Sequence, residues 1–397
     1  MCPDITNHIL RASRSLANKV VGSVASVLVV VLASTMALCA SGCDPKSAWT
    51  SIGTNWLSPN SQVTCFSYDT KRDILYAGTE GQGLWRCTAA STSPHWSFAD
   101  DLHFDTVVAL AYDPARDILY ASGGSKATKK NKATGGVRQL ASPGTKTNWV
   151  DIHDPSGAWA LAYDPSKNAL YSGGGGVWRC TRPDSAPHWS DAGGELNSVG
   201  IDALIYDDAT HTLFAGTSGV LYASTLDADL HWHNITTTLN SPEDFNGSGA
   251  AALAYDSKRD VLYVGTPGIG VRRCANPRGA RVWTSIGDNL ISRDGPNAQS
   301  ALGLDTARDI LYVGGYEAGG TEFKPPGGVW RCTKPDAEAV WSNTGGPLHT
   351  SQIDMILYDP GRAVLFAAAN EFADQRLWGR ATGVWRYEPS TSGKKDN

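Results

Sequence analysis

The chain has 397 residues, enough for two ordinary domains or one large all-β domain, with 42 glycines, 18% charged residues and a net charge of −5. That composition is globular and excludes a disordered polyelectrolyte. It offers no global basic stripe, which argues against a nucleic-acid partner.

The first element is a targeting segment. Residues 1–19 carry Arg11, Arg14 and Lys19, residues 20–40 are apolar and free of charge, and Ala40-Ser41-Gly42 places small residues before Cys43. Basic, apolar and small residues in that order read as an export signal. Left uncut, the apolar run is long enough to span a bilayer, so a retained anchor is the alternative. Ala-Ser-Gly-Cys at 40–43 resembles the lipobox of bacterial lipoproteins, although Ala40 stands where that family prefers leucine. The resemblance implies that Cys43 is lipidated and becomes the new N-terminus, and that the protein is anchored in the bacterial cell envelope. In a Gram-negative cell, Asp44 resembles the signal for inner-membrane retention. Cutting at the same bond without lipidation would give a secreted protein. The expected organisation is a signal peptide over 1–42, a short linker over 43–47, one repeat domain over 48–388 and a tail over 389–397.

Three markers recur seven times from residue 48 onward. The first is an aspartate that opens a turn between two apolar runs: Asp69, Asp113, Asp164, Asp207, Asp256, Asp305 and Asp359, preceded by tyrosine except at Leu304. The second is a tryptophan: Trp49, Trp96, Trp149, Trp189, Trp232, Trp283 and Trp341. The third is a strand such as GVWRC, centred on Trp85, Trp178, Arg272, Trp330 and Trp385, with Arg138 and Leu221 expected in that slot in the two divergent copies. The copies lie roughly 40 to 60 residues apart, the spacing of propeller blades. Each parses into four short strands, as in residues 107–113, 117–123, 176–181 and a fourth strand starting at the tryptophan. Period-2 alternation, β-branched and aromatic residues and Gly/Pro/Asp turns support strands throughout.

In LAYDPARDILY, residues 110–120, Asp113 is placed to accept backbone N–H bonds and Pro114 presets φ for the next position. Small residues mark the innermost strands: Ala109 and Ala111, Ala160 and Ala162, Ala252 and Ala254, Ala301 and Gly303. A narrow axis would require them, and Cys65, in the slot of Ala109, reads as a small buried residue. Trp49 precedes the first complete inner strand, and the last copy ends at its third strand, residues 383–387. The N-terminal segment 48–53 can therefore supply the missing outer strand. The fold class is all-β: a seven-bladed β-propeller with three-plus-one closure.

The repeats resemble seven-bladed propellers of the BNR/Asp-box-like and photosystem II assembly-factor-like group, and also the two-component-regulator type. The resemblance covers residues 48–388 and rests on phrases such as LYAGT (75–79) and GVWRCT. It departs where an Asp-box would lie: Cys87 to Trp96 and Cys180 to Trp189 are each separated by nine positions without the Asp-box glycine. The Gly-His…Trp-Asp pattern of WD repeats is absent as well. Such an architecture hosts many activities.

On one face of the expected ring every turn is short. On the other, the loops between second and third strands range from Gly173–Gly176 to residues 122–136, 314–328 and 367–383. Binding residues concentrate on variable loops over a rigid scaffold. The candidate binding residues are Tyr316 and Phe323 of blade six, Phe372, Arg376, Trp378 and Arg380 of blade seven, and Trp56 of the neighbouring entry loop. Aromatic and arginine anchors suit a protein or carbohydrate partner; equally, these loops can fold back and cap the ring. The lysines at 126, 129, 130 and 132 read as a solvated loop.

No residue pattern implies a catalytic centre, a metal or a cofactor. His95, His188 and His231 precede the repeat tryptophans and read as structural, and His231 and His233 make at most half a metal site. His103, beside Asp100, Asp101 and Asp105, together with His153 and His349, is the best acid–base candidate. Arg293, Arg376 and Arg380 are too few for a sialidase-type arginine cluster. Trp-Arg-Cys strands read as core, and their cysteines as inert thiols. The expected function is a monomeric, non-catalytic binding or scaffold protein that recognises a protein or glycan partner on the long-loop face. The alternative is a polysaccharide hydrolase or lyase with its site on that face, which would need paired carboxylates.

Overall fold

The computed structural model describes residues 49–389 apart from 54–56, 59–60, 100–101, 126–133, 146–147, 156, 218–220, 226–230, 237–248, 251, 267–269, 288–300, 316–326, 349–350 and 371–382. The described strands form seven antiparallel four-stranded sheets. Six are sequential; blade 2, for example, runs Thr106–Asp113, Ile118–Ser125, Thr134–Ala141 and Val150–Asp151. In the seventh, Gln352–Asp359, Val364–Asn370 and Gly383–Tyr387 are completed by Trp49–Gly53. Trp49 lies opposite Tyr387 and Ser51 opposite Trp385.

The second strand of each blade explains why the sheets stack. In blades 1, 3, 4, 5 and 6 all six of its residues are buried, as in Ile74–Thr79 and Ala169–Gly174. A strand buried on both faces needs a neighbouring sheet on each side. The apolar residues accordingly fall into seven clusters, one at each seam. Between blades 1 and 2, Tyr76 and Leu84 meet Val107 and Leu119; between blades 3 and 4, Tyr171 and Val177 meet Ile201 and Leu213. Each such fully buried side chain contributes about 1.5–3 kcal/mol. The glycine of the LYAGT phrase belongs to the same contact. A Cβ on Gly173 would lie 2.6 Å from Ile201 of the next blade, and one on Gly314 would lie 2.7 Å from the Ile353 carbonyl.

A second link joins the blades through the repeat tryptophans. The indole Nε1–H of Trp96 donates to the Ile52 carbonyl (2.7 Å), Trp189 to Ile152 (2.6 Å), Trp232 to Ala192 (2.8 Å) and Trp283 to Ile235 (2.9 Å). Trp341 donates to the Ile286 carbonyl, and Trp49 to the Thr344 hydroxyl (3.0 Å). The acceptor is always the residue three places past the tryptophan of the preceding blade. Trp149 departs from this rule, for its buried Nε1 has no hydrogen-bond partner.

Three sequence expectations are corrected. Leu221 does not occupy the Trp85 slot: Ala77 pairs with Trp85, its equivalent Ala215 pairs with Tyr222, and Leu221 pairs with Gly216. The fourth strands of blades 2 and 4 start one residue after the tryptophan and shrink to Val150–Asp151 and His233–Asn234. The small residues are not all dictated by the axis. Ala111, Ala162, Ala254 and Gly303 lie opposite Tyr120, Tyr171, Tyr263 and Tyr312 of the second strand, so a bulky cross-strand ring sets their size.

Trp189 and Trp149 are both half-buried, but only Trp189 donates a bond. Trp189→Phe should therefore cost about 1 kcal/mol more than Trp149→Phe in urea unfolding. Equal losses would contradict the indole latch.

Candidate binding site at the axial channel

The two faces of the ring differ in what their polar groups do. On the short-turn face all seven repeat aspartates accept backbone N–H bonds from their own turns, as Asp113 Oδ1 does from Ala115 (2.9 Å) and Arg116 (3.2 Å). Each turn then needs a left-handed residue, with φ between 46° and 58° at Asp73, Asp117, Asn168, His211, Asp260, Asp309 and Ala363. Asp, Asn and His tolerate that conformation, and here most do a second job. Tyr68, Tyr112 and Tyr255 donate their hydroxyls to Asp73, Asp117 and Asp260 at 2.6–2.9 Å. Arginines carry the network to the next blade: Arg116 bonds both Asp113 (3.1 Å) and Tyr163 (3.0 Å), and Arg308 bonds both Asp305 (2.7 Å) and Tyr358 (3.1 Å). Burial would push the Asp113 carboxyl up, but donors from Tyr163, Arg116 and Ala115 outweigh it and hold the group below its ordinary value. The arginine of the Trp-Arg-Cys strand is likewise a strut and not merely core. Arg86 donates to the Gly144 carbonyl (2.9 Å) and Arg273 to Asp336 (3.1 Å), each in the following blade. These groups are committed to holding the ring.

The opposite face opens into a channel of about 920 Å³ on the propeller axis, lined by the inner strands of all seven blades. Its walls include the apolar Cys65, Ala109, Ala160, Leu161, Leu204 and Leu253. Its mouth is built by a repeated backbone device. In blades 1, 2, 4 and 7 the inner strand carries a bulge, which leaves Thr64, Val108, Asp202 and Asp354 as the extra residue. Trp159 takes the same place in blade 3, just before Ala160, and its N–H bonds the Gly173 carbonyl (2.6 Å). Bulges re-aim side chains, and all five of these residues line the channel. Trp159 is 59% exposed there. Gln62, Glu80 and Gln352 complete the mouth.

The seven loop residues expected to bind, Trp56, Tyr316, Phe323, Arg376, Phe372, Trp378 and Arg380, lie outside the described residues, as do Cys43, His349, Asp100, Asp101, Arg293 and the lysine loop. His103 and His153 are exposed on left-handed backbone at φ 56° and 57°. His153 Nδ1 lies 3.4 Å from Asp151 Oδ1. His95 and His188 lie exposed on outer strands, opposite Thr88 and Thr181. Cys87, Cys180, Cys274 and Cys332 lie opposite the repeat tryptophans, and burial pushes these thiols up to about 12. Cys65 is pushed up to about 12 as well. Thiols so shifted are not nucleophiles at neutral pH. Sequence reasoning missed Trp159, Asp202, Asp354 and Glu80. The one available sign was a large or charged residue directly before the small inner-strand residue, as in Trp159-Ala160 and Asp202-Ala203.

No protein-family model matches the chain, and no curated protein matches it in sequence. Solved structures match in fold. The RRP9 WD40 repeats align over 86% of this chain and 97% of theirs at 8% identity, with a TM-score of 0.58. The β-propeller domain of Cps50 (Swd1) from Myceliophthora thermophila aligns over 83% and 97% at 11% identity, with a TM-score of 0.57. U3-55K aligns over 86% and 99% at 9% identity, with a TM-score of 0.57. At such identities the likeness is one of fold, and the fold is the β-propeller.

Proposed function

We propose that this protein is a non-catalytic binding module of the bacterial cell envelope that engages a protein or glycan partner on its long-loop face, around the channel mouth. The observation that carries this reading is Trp159. A tryptophan 59% exposed at the rim of a cavity does no packing that the ring requires, and tryptophan is a preferred anchor in binding sites. The contrast between faces supports it: the short-turn face commits arginines, aspartates and tyrosines to blade-to-blade bonds, whereas the inner strands turn Thr64, Val108, Trp159, Asp202 and Asp354 toward the channel. The export signal and the lipobox-like Ala40-Ser41-Gly42-Cys43 support an anchor at Cys43, which would present the propeller from a membrane surface.

Soluble residues 44–397 should retain a discrete partner, either on a glycan array or by crosslinking to envelope proteins. Trp159→Ala should weaken retention about tenfold or more, with Trp56→Ala and Trp378→Ala testing the loop residues singled out from the sequence. Retention unchanged in all three variants, or no retention in either format, overturns the reading. In cells, labelled fatty acid should be incorporated by the full chain and not by Cys43→Ala; incorporation by neither would remove the lipid anchor from the proposal.

A further inference from the structure

The chain enters the propeller at a fixed point. Trp49 starts the outer strand of blade 7 and is buried, with its ring 5.0 Å from that of Tyr387 and its Nε1–H on the Thr344 hydroxyl of blade 6. The register carries that level across the sheet. Trp49 lies opposite Tyr387, Tyr387 opposite Leu365, and Leu365 opposite Tyr358, the residue before the Asp359 turn. Trp49 therefore stands at the short-turn face. The other end of its strand, Gly53, lies opposite Val384, which leads through Ala368 to Met355, beside Asp354 of the channel. The inner strand Gln352–Asp359 has eight residues, so about 23 Å separates the two faces. Five residues, 44–48, separate Cys43 from Trp49, and they reach about 20 Å at full extension. A mouth turned toward a lipid on Cys43 would need this tether to run the full depth of the sheet and past the turn at 80–83. The surroundings of the entry suit a headgroup layer instead. Arg386, in the strand paired with Trp49–Gly53, donates to the Ala90 carbonyl (3.5 Å), so the blade 1 hairpin with exposed Thr92 and Ser93 borders the entry. On the blade 6 side Lys334 is exposed, and Val340, opposite Thr333 at the short-turn end of its strand, is more than half exposed. A valine at a membrane interface is relieved of water, while a lysine keeps its ammonium among the headgroups.

We infer that the short-turn rim of blades 6, 7 and 1 lies against a lipid surface and that the channel mouth, with Trp159, opens away from it. This inference deepens the binding reading and rests on its anchor at Cys43. The partner of the mouth then approaches from the aqueous side, and the short tether is what holds the propeller in that orientation.

Fluorescence energy transfer tests it on the full chain, recovered from bacterial membranes and reconstituted into phosphatidylcholine–phosphatidylglycerol vesicles that carry a rhodamine-headgroup lipid. The donor dye sits on Ser93→Cys in one sample and on Glu80→Cys in another, two exposed positions on opposite faces of blade 1. The five cysteines of the propeller are buried and do not compete for the dye. Transfer from the Ser93→Cys label should exceed that from the Glu80→Cys label about threefold, because about 20 Å of strand lies between the faces. A Gly/Ser linker of about 25 residues inserted after Pro45 spans about 25–30 Å and should erase most of that difference. Equal transfer from both labels, stronger transfer from the Glu80→Cys label, or a difference that survives the linker overturns the inference and leaves the anchor standing. A full chain that does not float with the vesicles removes the anchor, and the orientation falls with it.

Discussion

A blade's own hydrogen bonds end at its edges, so a ring of blades depends on what passes between them. In this protein the seam is held at three radii. Apolar side chains of the second strand pack against the next inner strand, as Tyr76 and Leu84 do against Val107. Farther out, the indole of one blade donates to the carbonyl three residues past the indole of the blade before it. On the short-turn face, arginines of blades 1, 2, 5 and 6 tie their turns to a tyrosine or aspartate of the next blade. The links only close into a ring because Trp49–Gly53 joins the last blade. Trp49 reaches back to Thr344 of blade 6, and Ile52 receives Trp96 of blade 1.

The division of labour between the faces follows from that constraint. Polar side chains that bridge blades cannot also serve a ligand without loosening the seam. The short-turn face is therefore close to uniform: the aspartate recurs in all seven blades, the tyrosine before it in six, and an arginine three residues after it in five, at Arg72, Arg116, Arg259, Arg308 and Arg362. Among the described residues, the long-loop face carries fewer such bridges. Four of its inner strands carry a bulge, and the side chains at that place differ from blade to blade: Thr64, Val108, Asp202 and Asp354, with Trp159 in the same position of blade 3. Identical backbone with different side chains is what a scaffold offers to a ligand.

Much of the fold was legible because it repeats. The seven aspartate turns, the seven tryptophans and the early Trp49 each follow from local chemistry that a one-dimensional pattern preserves. The channel mouth was not legible in this way. A bulge is a mismatch between two strands, and neither Asp202 nor Asp354 announces one until its partner strand is placed. The same blindness to pairing put Leu221 where Tyr222 belongs, one residue out of register. Reading Trp-Arg-Cys as core caught the tryptophan and cysteine but missed the arginine, whose partner sits in the following blade. The loop aromatics chosen from sequence lie outside the described residues, so the site rests on Trp159 and its neighbours.

The most direct measurement is amide hydrogen exchange on residues 44–397, read strand by strand. If closure by Trp49–Gly53 holds the ring, the amides of Thr50 and Ser51 should exchange with the same protection as Trp385 and Arg386 opposite them, as one cooperative unit. Exchange of Thr50 and Ser51 at the rate of an unstructured segment, with the second strands still protected, would contradict it.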